Sequence, residues 1–290
     1  HFYLYGQAKG LSENGVDVSI YTNNVTLNPN YSGVNFHTFY KNIYGGKSNL
    51  LAGIKYILGT ILSIIHAKIS GVKICHFHIF HVNILVFLDF LFSKFFCMKV
   101  VYTIHDVVSF ENKKSYEKWS KFIYKRADKI LIHNLFSKEI FKSQYLDIKS
   151  EVDIIPHGNY VPFLDVKKDK IDSRNRLSIP MDKTVLLFFG MIKKVKGLEV
   201  LLHSLRDVVS KNKDVLLVIA GRVWENDFSM YQKIIDDNNL LDYCLIHNKF
   251  IPHEDVGHYY SSADLVVLPY KRIYQSGVLM MSLSYEKAVL

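Results

Sequence analysis

The chain has 290 residues, 49% of them hydrophobic, 14% aromatic and 22% charged, with a formal net charge of +9. This composition excludes a disordered or low-complexity protein, no repeat period is visible, and the length suits two domains of ordinary size. The positive balance favours anionic partners in general, whether phosphates, anionic lipid or nucleic acid.

Cys75, Cys97 and Cys244 are far apart and make no CxxC pair. A disulfide framework or zinc knuckle is therefore not expected, and a reducing cytoplasm fits. The chain opens at His1 inside a helical pattern, without an initiator Met or a signal peptide, and reaches Leu290 inside an apolar run. It is expected to be a piece of a longer protein.

In chain order, "DVSIYT" (17–22), "VKICHFHIF" (72–80), "MKVVYTIHD" (98–106), "DKILIHN" (128–134) and "SEVDIIPHG" (150–158) are β-branched runs ending in polar or Gly residues, each a predicted strand. Helix-period stretches lie between them at 47–70, 82–96, 113–126 and 136–145, and this alternation predicts a parallel sheet. The most apolar region, "VNILVFLDFLFSKFFCMKVVYTI", is interrupted by Asp89, Lys94 and Lys99. It falls short of the ~20 clean apolar residues of a membrane span.

Two prolines and a Gly around Pro156 to Pro162 break the pattern, and a charged connector follows. A second series has strands at 184–189, 214–220, 242–247 and 264–268, with helices near 197–210, 228–238, 253–261 and 276–286. The expected architecture is two α/β domains in tandem, 1–160 and 161–290, with the cleft between them as the default binding site.

"FFGMIKKVKGLEVLL" (188–202) carries a strand into a loop with Lys193, Lys194 and Lys196 before an apolar helix. Gly190 lets a ligand approach the backbone, and ammonium groups beside a helix N-terminus suit phosphate. Taken alone, the loop is equally a solvated turn. A second turn, "LPYKRIYQSGVL", follows a buried strand past Tyr270. Ser276 is a candidate N-cap there, and the N–H groups of Gly277, Val278 and Leu279 are candidate anion donors, the alternative being an ordinary capped helix.

"PHG" ends another strand with His157 and Gly158. A lone loop histidine is more often structural, although a sugar or phosphate contact is open. "YTIHDV" puts His105 and Asp106 at the carboxyl end of a strand, where reacting groups belong in open α/β sheets. His105 is the candidate for an acid/base or substrate-orienting role, the alternative being simple hydrogen bonding at a strand end.

"CHFHIFH" groups Cys75, His76, His78 and His81, but strand alternation points Cys75 and His76 to opposite faces, so metal binding is not expected. No D-x-D pair offers ligands for a metal-bound diphosphate. In "KKSYEKWSKFIYKRADK" (113–129), Tyr116, Trp119 and Ile123 share a helix face, with Phe122 beside them, among lysines. Such a helix either lies on an anionic bilayer or packs on the sheet.

These motifs together resemble the retaining glycosyltransferases of family 4, which have two Rossmann-like doubly wound parallel-sheet domains in the GT-B arrangement. "FFGMIKKVKGLEVLL" is similar to the family's G-x-I-x-x-x-K-G-x-x-x-L-L loop. "LLVIAGRVWE", "FIPHEDVGHYYSSADLVVLPY" and "YQSGVL" follow in the family's order and spacing.

The resemblance implies that Lys193, Lys196 and the N–H groups at Gly277, Val278 and Leu279 hold a donor diphosphate, with backbone room at Gly190. It puts the nucleotide base at Phe250 and Ile251, and His105 beside the sugar and acceptor. Many members carry two glutamates at the positions of Tyr274 and Ser282; here a Q-S-G motif stands instead, so that Gln275, Ser276 and Ser282 are candidates for the lost contacts. The arginine often found after the loop glycine is Met191.

The implied activity is transfer of a sugar, with retention, from a nucleotide-diphosphate donor to a glycan or lipid-linked acceptor in surface polysaccharide assembly. No metal, cofactor or nucleic acid is implied. The implied location is the cytoplasm, peripheral at the inner face of the plasma membrane, with an anionic membrane surface as partner. The rival expectation is a non-catalytic nucleotide-sugar or glycan-binding protein of the same fold. The family's first strand would precede His1, and its closing strands and helix would follow Leu290.

Overall fold

The structure is a computed structural model that describes residues 2–44, 48–107, 114–164, 168–224 and 227–290. The chain divides into two compact units, His1–His157 and Gly158–Leu290.

The first unit runs α1 (Phe2–Glu13), β1 (Val18–Asn23), β2 (Val34–Tyr40), α2 (Asn49–Ile69), β3 (Ile74–Ile79), α3 (Ile84–Phe95), β4 (Lys99–Ile104), α4 (Lys114–Arg126), β5 (Lys129–Ile132), α5 (Leu135–Gln144) and β6 (Val152–Ile154). β3, β4, β5 and β6 pair in that order, all parallel, and β1 with β2 forms a separate parallel pair. Sequence reasoning expected one sheet and did not foresee β2. Its Asn35, His37 and Thr38 interrupt the apolar run that marked the other strands.

Asn83 and Asn134 accept hydrogen bonds from backbone N–H groups at the starts of α3 and α5, fixing where those helices begin. α2 buries Thr60, Ser63, Ile64 and Ala67 on its inner side. Tyr56 and Thr60 donate to the buried Asp89 of α3 at 2.7 and 2.8 Å. Burial pushes the Asp89 carboxyl up to about 6 against the opposing pull of those hydroxyls.

The outward face of α2 is apolar too, with Leu51, Ile54, Leu58 and Leu62 exposed at helical spacing. By length and composition α2 is the helix, among the described residues, that is apolar enough to cross a membrane. Sequence reasoning had weighed that question on the later stretch around α3. On α4, Trp119 and Phe122 pack on Phe87 of α3, and Ile123 is fully buried, so its apolar face belongs to the core. Its Lys118, Lys121 and Lys125 are exposed.

The second unit runs α6 (Lys170–Leu177), β7 (Thr184–Phe189), α7 (Leu198–Lys211), β8 (Val215–Ala220), α8 (Ser229–Asp237), β9 (Cys244–His247), α9 (His253–Ser262), β10 (Leu265–Val266), α10 (Gly277–Ser284) and β11 (Ala288–Val289). The sheet order is β11-β10-β7-β8-β9, all parallel, with every residue of β8 buried. One apolar cluster packs the sheet against α7 and α8, another against α9.

α6, unforeseen in the charged connector, is tied down by Arg174. Its guanidinium, 3% exposed with its residue, donates to the carbonyls of Ser262, Pro180, Met181 and Lys183 and to Asp264. The chain leaves β7 toward β8 and β9, then returns to place β10 on the other side of β7. That reversal makes the carboxyl ends of β7 and β10 the switch point where open α/β sheets bind ligands.

Candidate active site

Two turns meet at that switch point. β7 ends at Phe189, and Gly190 follows with φ +92. A short 3-10 turn, Lys194–Lys196, leads to Gly197, whose added Cβ would lie 2.0 Å from the Pro269 carbonyl oxygen. No side chain fits there, so the loop after β7 and the loop after β10 are held against each other. Lys271 N–H donates to the Val195 carbonyl at 2.9 Å and joins them further, as does the Lys271–Glu199 ion pair.

Lys196 turns its ammonium back toward the end of β7, 3.5 Å from the Phe189 carbonyl and 5.8 Å from the centre of the Tyr270 ring. Burial, and then the nearby Lys193, push that ammonium down to about 8. Lys193 lies over Trp224 at 5.1 Å. A Cβ on Gly190 would stand 3.0 Å from Lys196 Nζ and 3.2 Å from Val278 Cγ2, so Gly190, Lys196 and Val278 converge.

α10 starts there. Ser276 is its N-cap, with Oγ accepting from Leu279 N–H at 3.0 Å and lying 3.2 Å from the Tyr270 hydroxyl. The N–H groups of Gly277 and Val278, in the first turn, have no acceptor within the helix. A half-buried cation and helix N–H groups at one point are an arrangement that suits an anion.

In the first unit, parallel pairing assembles a row of histidines that are distant in sequence. His133 Nδ1 is 2.9 Å from the Ile155 carbonyl, His133 Nε2 is 3.3 Å from His105 Nδ1, and His105 Nε2 is 3.3 Å from His78 Nδ1. The Tyr3 ring lies against His78, His105, His133 and His157 at 4.8 to 5.5 Å. Phe80, 59% exposed, stacks on His105 at 4.7 Å. Burial, then neighbouring histidines, push His105 down to about 3 and His78 down to about 2, while burial alone brings His76 to about 4. The row is neutral at physiological pH.

Thus Gly190, Lys196, Tyr270, Ser276, Gly277 and Val278 come together, with Lys193 on the same loop and Gln275 half-buried just before the N-cap. Two expectations are corrected. Leu279 N–H is no anion donor, because the Ser276 cap accepts it. Ser282 is fully buried and its hydroxyl donates to the Val278 carbonyl at 2.7 Å within its own helix, which leaves it no ligand contact. The expected base contact is with the backbone at Phe250 and Ile251, and there the Phe250 side chain is 77% exposed after β9 while Ile251 is half-buried.

His105 is 7% exposed with both ring nitrogens engaged, and Asp106 is half-buried beside it. His157 joins the histidines, whereas Gly158 is exposed. The metal-like run dissolves into separate bonds: His76 pairs with Thr103 at 2.8 Å and His78 with His105. Sequence reasoning missed His133 altogether. The signal available was a histidine at the end of the strand after the "YTIHD" strand.

Compared with known proteins, the fold is that of GT-B glycosyltransferases. Sucrose-phosphate synthase from Thermosynechococcus elongatus superposes with a TM-score of 0.74 at 17% identity, covering 99% of this chain and 74% of that one. Anabaena HepE, solved with UDP and glucose, gives 0.65 at 14% identity, covering 89% and 67%.

Residues 2–159 match the family model Glycosyltransferase Family 4, and residues 169–277 match Glycosyl transferases group 1. The chain belongs to glycosyltransferase family 4. Its curated relatives include the putative glycosyltransferase YtcC of Bacillus subtilis, 27% identical over 177 residues, covering 58% of this chain and 43% of that protein. Another is the GDP-mannose:glycolipid 4-beta-D-mannosyltransferase of Xanthomonas campestris, 27% identical over 138 residues, covering 48% and 36%. The chain spans less than half the length of these relatives.

Proposed function

We propose that the protein transfers a sugar, with retention of configuration, from a nucleoside-diphosphate donor to a glycan or lipid-linked acceptor in surface polysaccharide assembly, without a metal or cofactor. The observation that carries this reading is the convergence of Gly190, the Lys196 ammonium and the first turn of α10 at the switch point of the second unit. A diphosphate satisfies both partners at once: Lys196 neutralises charge, and the N–H groups of Gly277 and Val278 bond its oxygens. As the leaving group departs, the same groups stabilise the charge it gains.

The reading gives the first unit to the acceptor and the second to the donor, with Gln275 and Ser276 on the sugar or ribose. A mannosyltransferase acting on a glycolipid and a UDP-binding neighbour among the similar proteins support this class of substrates. It also sets the protein in the cytoplasm, peripheral at the inner face of the plasma membrane, with the apolar outer face of α2 and the α4 lysines toward an anionic surface.

A second reading, nucleotide-sugar binding without turnover, is favoured by one observation. Tyr274 and Ser282 stand where many members carry glutamates, and Ser282 is closed off inside its helix. A panel of UDP-, GDP- and ADP-sugars separates the two. Turnover of one donor, with the anomeric configuration of the first product retained by NMR, supports transfer; binding without turnover selects the second reading, and inversion defeats the retaining mechanism.

A further inference from the structure

The histidine row has a direction, and one backbone atom sets it. The Ile155 carbonyl can only accept, so the proton of neutral His133 must sit on Nδ1. Its Nε2 is then bare and accepts from His105 Nδ1–H, which leaves His105 Nε2 bare to accept from His78 Nδ1–H. The chain of bonds ends at a bare His78 Nε2. His133 and His105 are 6% and 7% exposed, whereas His78 is only half-buried, so the outer end is also the accessible one.

We infer that His78, not His105, presents the ligand-facing nitrogen of this row, as a hydrogen-bond acceptor for a sugar hydroxyl, and that His133 acts as a positioning residue that fixes its direction. Phe80 supplies the matching surface. It is exposed and stacked on His105, the ring next to His78 in the row, and an exposed aromatic face on that row suits a sugar ring, with its apolar face and its hydroxyl edge. The low basicity imposed by burial fits an acceptor of a hydrogen bond rather than a base that removes the proton. His105 becomes the link that transmits the orientation from the Ile155 carbonyl to His78.

That the ligand is a sugar rests on the transferase reading; the tautomers of the row do not. The first experiment therefore uses ring-nitrogen NMR of the whole chain, labelled at histidine and free of substrate, at neutral pH. The expected result is the neutral Nδ1–H tautomer at His133, His105 and His78. A protonated Nε2 at His78, or a cationic ring in the row, overturns the direction.

His133→Gln, whose amide can donate to Ile155 and accept from His105, should keep His78 as the Nδ1–H tautomer, and His133→Phe should release it to a mixture. An unchanged His78 in His133→Phe overturns the positioning role. Free hexoses and N-acetylhexosamines are then titrated into wild type. A response of His78 Nε2 to at least one of them is expected in wild type, and the affinity for that sugar, read by calorimetry, should fall about 3- to 10-fold in His78→Phe, the loss of one neutral hydrogen bond. Silence at His78 with every sugar overturns the ligand assignment while leaving the measured tautomers standing.

Discussion

A Cβ on Gly190 would stand 3.0 Å from the Lys196 ammonium, so the absent side chain is what gives that ammonium its place behind the end of β7. Gly190 also has φ +92, a conformation that costs other residues on the order of 1–2 kcal/mol. Gly190→Ala should lower the melting temperature slightly and weaken nucleoside diphosphate binding by about tenfold, the equivalent of ~1.4 kcal/mol. Calorimetric titration checks this, and unchanged affinity would contradict the convergence of the two groups.

Arg174 holds four carbonyls and Asp264 from a buried position. Removing the guanidinium takes that donor from the four carbonyls, although Asp264 keeps Lys170 and the Val185 N–H, so Arg174→Met should destabilise the second unit by about 3 kcal/mol. Urea unfolding followed by the fluorescence of Trp224 in a Trp119→Phe background reads the change. A midpoint within error of wild type would refute the clamp.

Stability of the first unit should fall on acidification from pH 7.5 to 5. His76, His78 and His105 titrate below the usual histidine value in the fold, so the unfolded chain takes up protons first and the folded state loses ground as pH drops through about 6.5. Asp89 works the other way. Its raised pKa favours the fold as pH drops through about 6, but it is one group against those three and against His37 and His133, which burial lowers as well. Melting followed against pH should show the decline, and His78→Gln should reduce its slope; a unit more stable at pH 5 would mean that Asp89 dominates.

If α2 faces a membrane, Leu58→Glu combined with Leu62→Glu should release the protein from vesicles, since both side chains are exposed and neither supports the core. Changing Lys118, Lys121 and Lys125 to Gln should weaken only binding to anionic vesicles, by ~1 kcal/mol per lysine at the surface. Co-sedimentation distinguishes the two contributions. Binding unaffected by the glutamates would remove α2 from the interface.

β7 was legible to the residue, because "TVLLFF" is a buried apolar run between polar ends, and the loop that follows showed its glycine and lysines directly. α6 was not, since its eight residues carry four charges and owe their position to Arg174 reaching a strand end far along the chain. β11, two residues long, exists by pairing with β10. The site in the second unit could be read because each turn carries its own chemistry. The histidine row could not, because His78, His105 and His133 become neighbours only through the order of β3, β4 and β5, which no local pattern records.

We assign the diphosphate to Lys196 and the first turn of α10. The most direct test is the affinity of the whole chain for UDP, GDP and ADP, in the presence of a chelator, for wild type and Lys196→Ala. A lost charge-assisted bond is worth roughly 1.5–3 kcal/mol, so the tightest nucleotide should bind about 10- to 150-fold more weakly in the variant. Wild-type affinity should itself decline above pH 8, where the depressed Lys196 gives up its proton. Full affinity in Lys196→Ala, or loss of all binding by wild type on chelation, would contradict the assignment.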